Sequence, residues 1–389
     1  MDRRERYERF KIKRTRKLNV IVGLLFTVSV VLLSVTSVLT PDVKFSAEEN
    51  RILTQKPAFS LAGIFSKDYM QDIESYTADQ FAFRDFWVSM KVGVDWLLGK
   101  REFNGVYLGK DGYLIQKLSE PDQKNVKKNI EAINKYAEAN PDVKVNMLLV
   151  PNAAYILQDY LPSGAPTLDQ SQQLKWIRGM LSNSVNSIDI SRTLKQHASE
   201  GLYYKTDHHW TTKGALLGFE AAAEELGIED PITSYDIYTV TKSFSGTLAS
   251  TSGYHWSKDS IEVYAPKNVE MQYLVTDSDD KEKRPTVYHK DALEEKDQYQ
   301  VFFGGNHGLV DITTANDTKS RLLIFKDSYA NCFVPFLLPY YNEIVMVDPR
   351  YYYENVQNLT ESKGITDILF LYNMDTFMTD RSIADTLAE

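Results

Sequence analysis

Leu322-Leu323-Ile324-Phe325-Lys326-Asp327-Ser328-Tyr329-Ala330-Asn331 joins four large apolar residues to a short polar turn that carries a hydroxyl. An apolar run of this length with a polar boundary reads as a strand buried on both faces, as in a parallel sheet. The residues after it, near Tyr329 to Leu338, read as a helix. Open α/β sheets place their active sites at the carboxyl ends of strands, where Ser328 sits. The first N–H groups of a following helix point at the same spot and suit an oxyanion. The competing role for Ser328 is a helix N-cap alone. Cys332 is a rival nucleophile, although one turn into the helix beside Phe333 and Val334 it reads as core.

Outward from this stretch the same alternation recurs. Strands are expected at Val143 to Val150, Val185 to Ile190, Gln300 to Phe303, Glu343 to Val347 and Ile368 to Leu371. Helices are expected near Asp122 to Ala139, Ser171 to Leu181, Thr212 to Leu226 and Tyr352 to Ser362. Strands alternating with helices predict an α/β fold, a parallel sheet with helices on both faces. Gly105 to Ile115 predicts a hairpin with Asp111-Gly112 in its turn. Residues 228–299 break the alternation and predict a β-rich insertion with short strands and mobile loops. Other polar groups at strand ends are Asn152, Asp348, Arg350 and Asn373.

The second informative segment is Lys205-Thr206-Asp207-His208-His209-Trp210-Thr211-Thr212-Lys213-Gly214-Ala215, in the loop leading into a helix that Thr211 or Thr212 can cap and Gly227 can end. In an extended chain residues i and i+2 share a side, so Asp207 and His209 are expected on one face and His208 on the other. A serine hydroxyl needs an imidazole within hydrogen-bond reach, itself oriented by a third group. Asp207, His209 and Ser328 suit those roles. Asn306, in the turn Gly304-Gly305-Asn306, and Asn373 are candidate oxyanion donors. Arg350 is a candidate for holding a polar substrate or for pairing with a carboxylate. A metal held by Asp207-His208-His209 is the alternative, disfavoured because the adjacent histidines are expected to diverge and no second cluster has ligand spacing. No metal or other cofactor is assigned.

The N-terminus differs in kind. Met1 to Lys17 carries nine Lys/Arg against three Asp/Glu, and the 24 residues Leu18 to Pro41 carry no charge. At helical rise such a run spans roughly 36 Å, enough for a bilayer core. A cleaved signal peptide is the competing reading, but its apolar region is shorter, and Ser37 to Asp42 lacks a clear small-x-small cleavage pattern. The basic flank predicts residues 1–17 in the cytoplasm, a transmembrane helix at 18–41 and the rest outside the cell membrane, in single-pass topology. Residues 42–65 read as a linker. Ser66 to Lys100 reads as one or two packed amphipathic helices and opens an extracytoplasmic domain over 66–389. Without its first 17 residues the chain has 35 basic and 50 acidic groups, a formal charge of −15, which argues against nucleic acid as a partner. The single cysteine excludes an intramolecular disulfide framework.

The Thr-Asp-His-His-Trp-Thr-Thr-Lys-Gly-Ala segment, the Gly304-Gly305-Asn306 turn, Lys326 to Asn331 and Asp348-Pro349-Arg350-Tyr351 resemble the bacterial DHHW family. Gln80 to Arg84 and Val106 to Gly112 fit as well. That family is similar to the SGNH-hydrolase-like (flavodoxin-like) domain of alginate O-acetyltransferases. The resemblance implies a triad of Ser328, His209 and Asp207, and an acyl group passed from a donor to a polysaccharide acceptor. It also implies a multipass membrane protein that supplies acyl groups. Trp210 becomes a candidate for stacking on a sugar face, with packing under the motif as its other role. One departure is Lys326, where the pattern has glycine. A carbohydrate esterase with the same triad, and a non-catalytic glycan-binding envelope protein, are the alternative functions.

Overall fold

The computed structural model describes residues 3–46, 48–49, 51–58, 67–279 and 281–388. The end of the expected linker and Ser66 lie outside them. The chain packs as two compact units, divided between Val94 and Asp95.

In the first unit a single helix, α1 (Arg3–Leu39), contains the basic tail and nearly all of the uncharged run, with no buried residue. Three of its hydroxyls are satisfied within the helix. Thr27, Ser34 and Thr36 donate to carbonyls four residues back at 2.9, 2.9 and 2.7 Å, which makes them tolerable in hydrocarbon. A two-stranded ribbon follows, β1 (Phe45–Ser46) with β2 (Arg51–Ile52), then the helices α2 (Lys67–Asp79) and α3 (Arg84–Leu97).

The second unit begins with a three-stranded antiparallel sheet, β3 (Glu102–Phe103), β4 (Val106–Leu108) and β5 (Leu114–Gln116). Its second turn holds Asp111 at φ 55° and Gly112 at φ 76°, the left-handed pair expected of Asp-Gly. Next come α4 (Gln123–Ala139), β6 (Lys144–Val150), α5 (Ala153–Ile156), α6 (Gln170–Arg178), β7 (Val185–Ile188), α7 (Ser191–Gln196) and α8 (Thr212–Leu226). Then follow β8 (Tyr235–Phe244), α9 (Thr247–Ser252), β9 (Asp259–Pro266), β10 (Tyr273–Asp277), β11 (Leu309–Thr314), β12 (Arg321–Lys326) and β13 (Glu343–Val347). The chain closes with α10 (Val356–Lys363), β14 (Asp367–Asn373), α11 (Met374–Thr379) and α12 (Ile383–Ala388).

Among the described residues the main sheet has seven strands in the order β10-β11-β13-β12-β14-β6-β7. The five from β13 to β7 are parallel, as expected. β11 runs antiparallel to β13 and β10 antiparallel to β11, so the sheet is mixed. The alternation of side chains divides the interior in two. Leu323, Phe325, Val345, Val347, Ile368 and Phe370 face one core, and Leu322, Ile324, Ile344, Met346, Leu369 and Leu371 the other. Burial on both faces is why these strands read as continuous apolar runs. From β12 the chain steps to β13 on one side and then returns to β14 on the other. That reversal opens a crevice at the carboxyl end of β12.

Two expected elements differ. In place of the strand expected at Gln300 to Phe303 stand the end of a 3-10 turn, Gln298–Val301, and an isolated bridge from Phe302 to Tyr288, because Phe303 at φ 63° and the glycines after it turn the chain away. The helix expected at Tyr329 to Leu338 is two short 3-10 turns, Ser328–Ala330 and Val334–Phe336, the second carrying Pro335. A proline there lacks the N–H that a continuing helix needs.

Candidate active site

Asp207, His208 and His209 lie in a bend rather than in an extended strand. The Asp207 side chain folds back to accept the His209 backbone N–H at 3.0 Å, an Asx turn that brings carboxylate and ring together. His209 Nδ1 is 2.5 Å from Asp207 Oδ1, and His209 Nε2 is 2.7 Å from Ser328 Oγ. An ionised carboxylate only accepts, so Nδ1 carries the proton, Nε2 is the acceptor, and the serine O–H donates to it. Ser328 is half-buried while His209 and Asp207 are buried. The hydroxyl is therefore the accessible end of the chain.

Burial alone would raise the Asp207 carboxyl, but the imidazoles of His208 and His209 and the Thr247 N–H hold it well below the ordinary carboxylate range. Thr247 donates both its N–H, at 2.8 Å, and its hydroxyl, at 3.0 Å, to Oδ2. The same hydroxyl lies 2.8 Å from His208 Nδ1 and, with its proton committed to Asp207, accepts from it. A Cβ on Gly246 would fall 2.3 Å from the Asp207 Cβ, so only glycine permits this approach. Thr206 fixes the other side of the loop, donating to Asp259 at 2.6 Å and accepting the Gly246 N–H at 3.0 Å. Tyr299 lies flat against His209, with centroids 3.9 Å apart and planes at 12°, and its hydroxyl donates to the Ser328 carbonyl at 3.1 Å. Thr247, Gly246, Asp259 and Tyr299 were not singled out from sequence. They sit in the segment read as an insertion, whose composition carries no sign of which residues reach back to the Asp207 loop.

His208 does not diverge as expected. Its ring lies 4.0 Å from that of His209, because the bend replaces the pleat. Burial, and then the neighbouring His209, push it down to about 4. Asp207, His208 and His209 thus form one compact donor cluster. Both nitrogens of His209 are already engaged by protein groups.

The remaining candidates separate. Trp210 is fully buried, donates to the Tyr329 carbonyl at 3.0 Å and stacks on Phe333 with planes at 2°. It is packing under the motif, which corrects the sugar-stacking role. Asn373 is also buried, and its Oδ1 accepts the Asp375 and Thr376 N–H groups as the cap of α11 and the Asn152 amide at 2.9 Å. It holds the end of β14 through that oxygen. Arg350 makes a two-pronged pair with buried Asp348 at 2.8 and 2.6 Å, so of its two expected roles the structure shows carboxylate pairing. The Cys332 thiol is fully buried and pushed up to about 12 by that burial, which removes it as a nucleophile at neutral pH.

Asn306 is exposed. Its Oδ1 accepts from Lys326 Nζ at 2.8 Å and from the Asn331 amide at 3.3 Å. Lys326, in place of the expected glycine, is buried and also contacts Asn331 Oδ1 at 3.1 Å and Asp348 at 3.6 Å. Burial pushes its ammonium down to about 8 against the pull of Asp348. The Ser328 N–H opens a 3-10 turn and so has no acceptor within it.

A mixed α/β sheet with a Ser-His-Asp array at its switch-point crevice defines an SGNH-hydrolase-like protein. The chain belongs to the family described as SGNH hydrolase-like domain, acetyltransferase AlgX, which matches residues 106–306, more than half its length. Its structure is similar to that of a DHHW family protein from Eubacterium siraeum DSM 15702, at 25% identity over 74% of this chain and 96% of that one, with a TM-score of 0.63. It is also similar to Bacillus cereus PatB1 with a sulfonyl adduct, at 20% identity over 71% and 96% of the two chains, with a TM-score of 0.60. No curated protein matches in sequence.

Proposed function

We propose that this protein is a membrane-anchored, extracytoplasmic O-acyltransferase that acetylates a sugar of an envelope polysaccharide or exopolysaccharide. In this reading residues 1–17 are cytoplasmic, 18–41 span the cell membrane, 42–65 link, and 66–389 form the exported domain. The observation that carries it is the unbroken chain Asp207–His209–Ser328, at 2.5 and 2.7 Å, ending in a half-buried hydroxyl. Ser328 Oγ attacks the carbonyl of an acyl ester or thioester as His209 Nε2 takes its proton. The tetrahedral intermediate's oxygen is held by the Ser328 N–H and the Asn306 amide. It collapses to an acyl-serine, and the leaving alcohol or thiol departs with the proton from His209. A sugar hydroxyl then gives its proton to His209, attacks the acyl-serine and leaves as the ester, restoring Ser328. The acyl donor is supplied in the membrane plane by a multipass partner, beside which the anchor keeps the domain.

The test is turnover of 4-nitrophenyl acetate with and without a soluble oligosaccharide. Acetylated sugar appearing in proportion to nitrophenol supports transfer. Nitrophenol release with no acetylated sugar from any acceptor makes the protein an esterase. A sulfonyl fluoride that modifies the wild type and Ser328→Ala equally removes the enzymatic reading.

A further inference from the structure

The turn between α2 and α3 is fastened to the outer end of α1. The Ala82 N–H donates to the Ser37 hydroxyl at 3.1 Å, the Gln80 amide exchanges hydrogen bonds with the Val43 backbone at 2.9 and 3.0 Å, and the Tyr76 hydroxyl donates to Asp42 at 3.0 Å. Ser37 lies four residues inside the last residue of the uncharged run, about 6 Å along the helix axis. Phe81 and Phe83 flank the residue bonded at that depth. Arg84, paired with Glu49 and Asp79, holds the turn in place, and Phe83 sits at φ 58°, a conformation costly for a bulky side chain. Phe83 and Phe86 are 66% and 60% exposed, and Met90 and Val94, at successive four-residue steps from Phe86, are exposed on the same helical stripe. A packed helix was expected here, and this apolar stripe is instead uncovered.

We infer that Phe81, Phe83 and the Phe86-Met90-Val94 stripe of α3 insert into the outer leaflet of the bilayer that α1 spans, giving the protein a second, interfacial membrane contact. The occupant is lipid because the turn that opens the stripe is bonded to α1 at the depth where headgroup and acyl chain meet and aromatic side chains settle. The inference rests on the anchor proposed above.

The test uses the full-length protein in phosphatidylethanolamine/phosphatidylglycerol vesicles, with nitroxide labels on Phe86→Cys, Met90→Cys, Asp85→Cys and Leu25→Cys variants. The native Cys332, fully buried, does not compete for label. Relaxation by dissolved oxygen reports lipid and relaxation by a water-soluble nickel complex reports water. Labels at 86 and 90 are expected to gain oxygen and lose nickel accessibility relative to 85, with 25 in the bilayer core. A label at 25 in the core with 86 and 90 as wet as 85 overturns the inference and leaves the anchor standing. Protection of 86 and 90 from both reagents means that protein covers the stripe, which also overturns it. A label at 25 outside the bilayer removes the anchor and this contact together.

Discussion

Thr247 holds Oδ2 of the Asp207 carboxylate with one backbone and one hydroxyl proton. Thr247→Val keeps the shape and the N–H but deletes the hydroxyl. A hydrogen bond to a charged group is worth about 1.5–3 kcal/mol, so kcat/KM toward an activated acetyl ester is expected to fall about ten- to hundredfold with the fold intact. Steady-state kinetics beside a circular-dichroism melt checks this. Lys326 calls for a different measurement. Its ammonium is buried and pushed down to about 8 from 10.5, so between those pH values the unfolded chain holds more protons and stability rises with pH. Below about 8 the cost of the buried charge is fully present. The stability of the wild type relative to Lys326→Met is therefore expected to increase from pH 8 to pH 10.5, measured by urea unfolding. That Asp207, His209 and Ser328 could meet was legible because a base, its partner carboxylate and a hydroxyl are each particular residue types. Thr247 and Tyr299 were not, since a threonine donor or a stacked tyrosine is chemically ordinary until the fold brings it to the site.

At the scale of elements, α8 begins immediately after the histidines, so its start fixes where the loop ends. Thr211 caps it, accepting the Gly214 N–H at 3.1 Å, and also donates to the Gly201 carbonyl at 2.9 Å. A Cβ on Gly218 would meet the Trp210 ring at 2.8 Å, so the helix lies tightly over the buried indole. Thr211→Ala is expected to lower stability by about 1 kcal/mol. It should also loosen the Asp207 loop, seen as faster amide hydrogen exchange at His209 and Trp210. Unchanged exchange would separate the cap from the site. The α8 boundaries and the parallel strands were readable from caps and apolar runs. β10 and β11 were not, because their pairing on the sheet edge is a long-range event with a weak local pattern.

At the scale of the whole molecule, the segment 228–299 is a working part of the site and not an appendage. α9, with Gly246 before it, presses on Asp207, while the strand β9 supplies Asp259 to the same loop. The electrostatics that result give the molecule an acid limit. His208 is pushed down to about 4 from 6.5, so within that window the unfolded state binds the proton more readily and stability falls as pH falls. Asp207, held below its ordinary 3.8, adds a further loss only at more acid pH. His208→Gln is expected to flatten the decline between pH 6.5 and pH 4 and to leave the steeper loss below it, as read from unfolding midpoints across that range.

The sequence by itself determined the apolar helix, the alternating α/β pattern and the residue types that meet as Asp207, His209 and Ser328. Hydrophobic periodicity, capping chemistry and the few side chains able to act as base or nucleophile are local properties of the chain. Only the tertiary structure decided that the two histidines stand together, that Trp210 is core, that Arg350 pairs with Asp348 and that Lys326 anchors Asn306. Trp210 is packed against a segment 119 residues away, and the nearer pairings are fixed by the bend, burial and hydrogen bonding that the folded chain imposes on residues close in sequence.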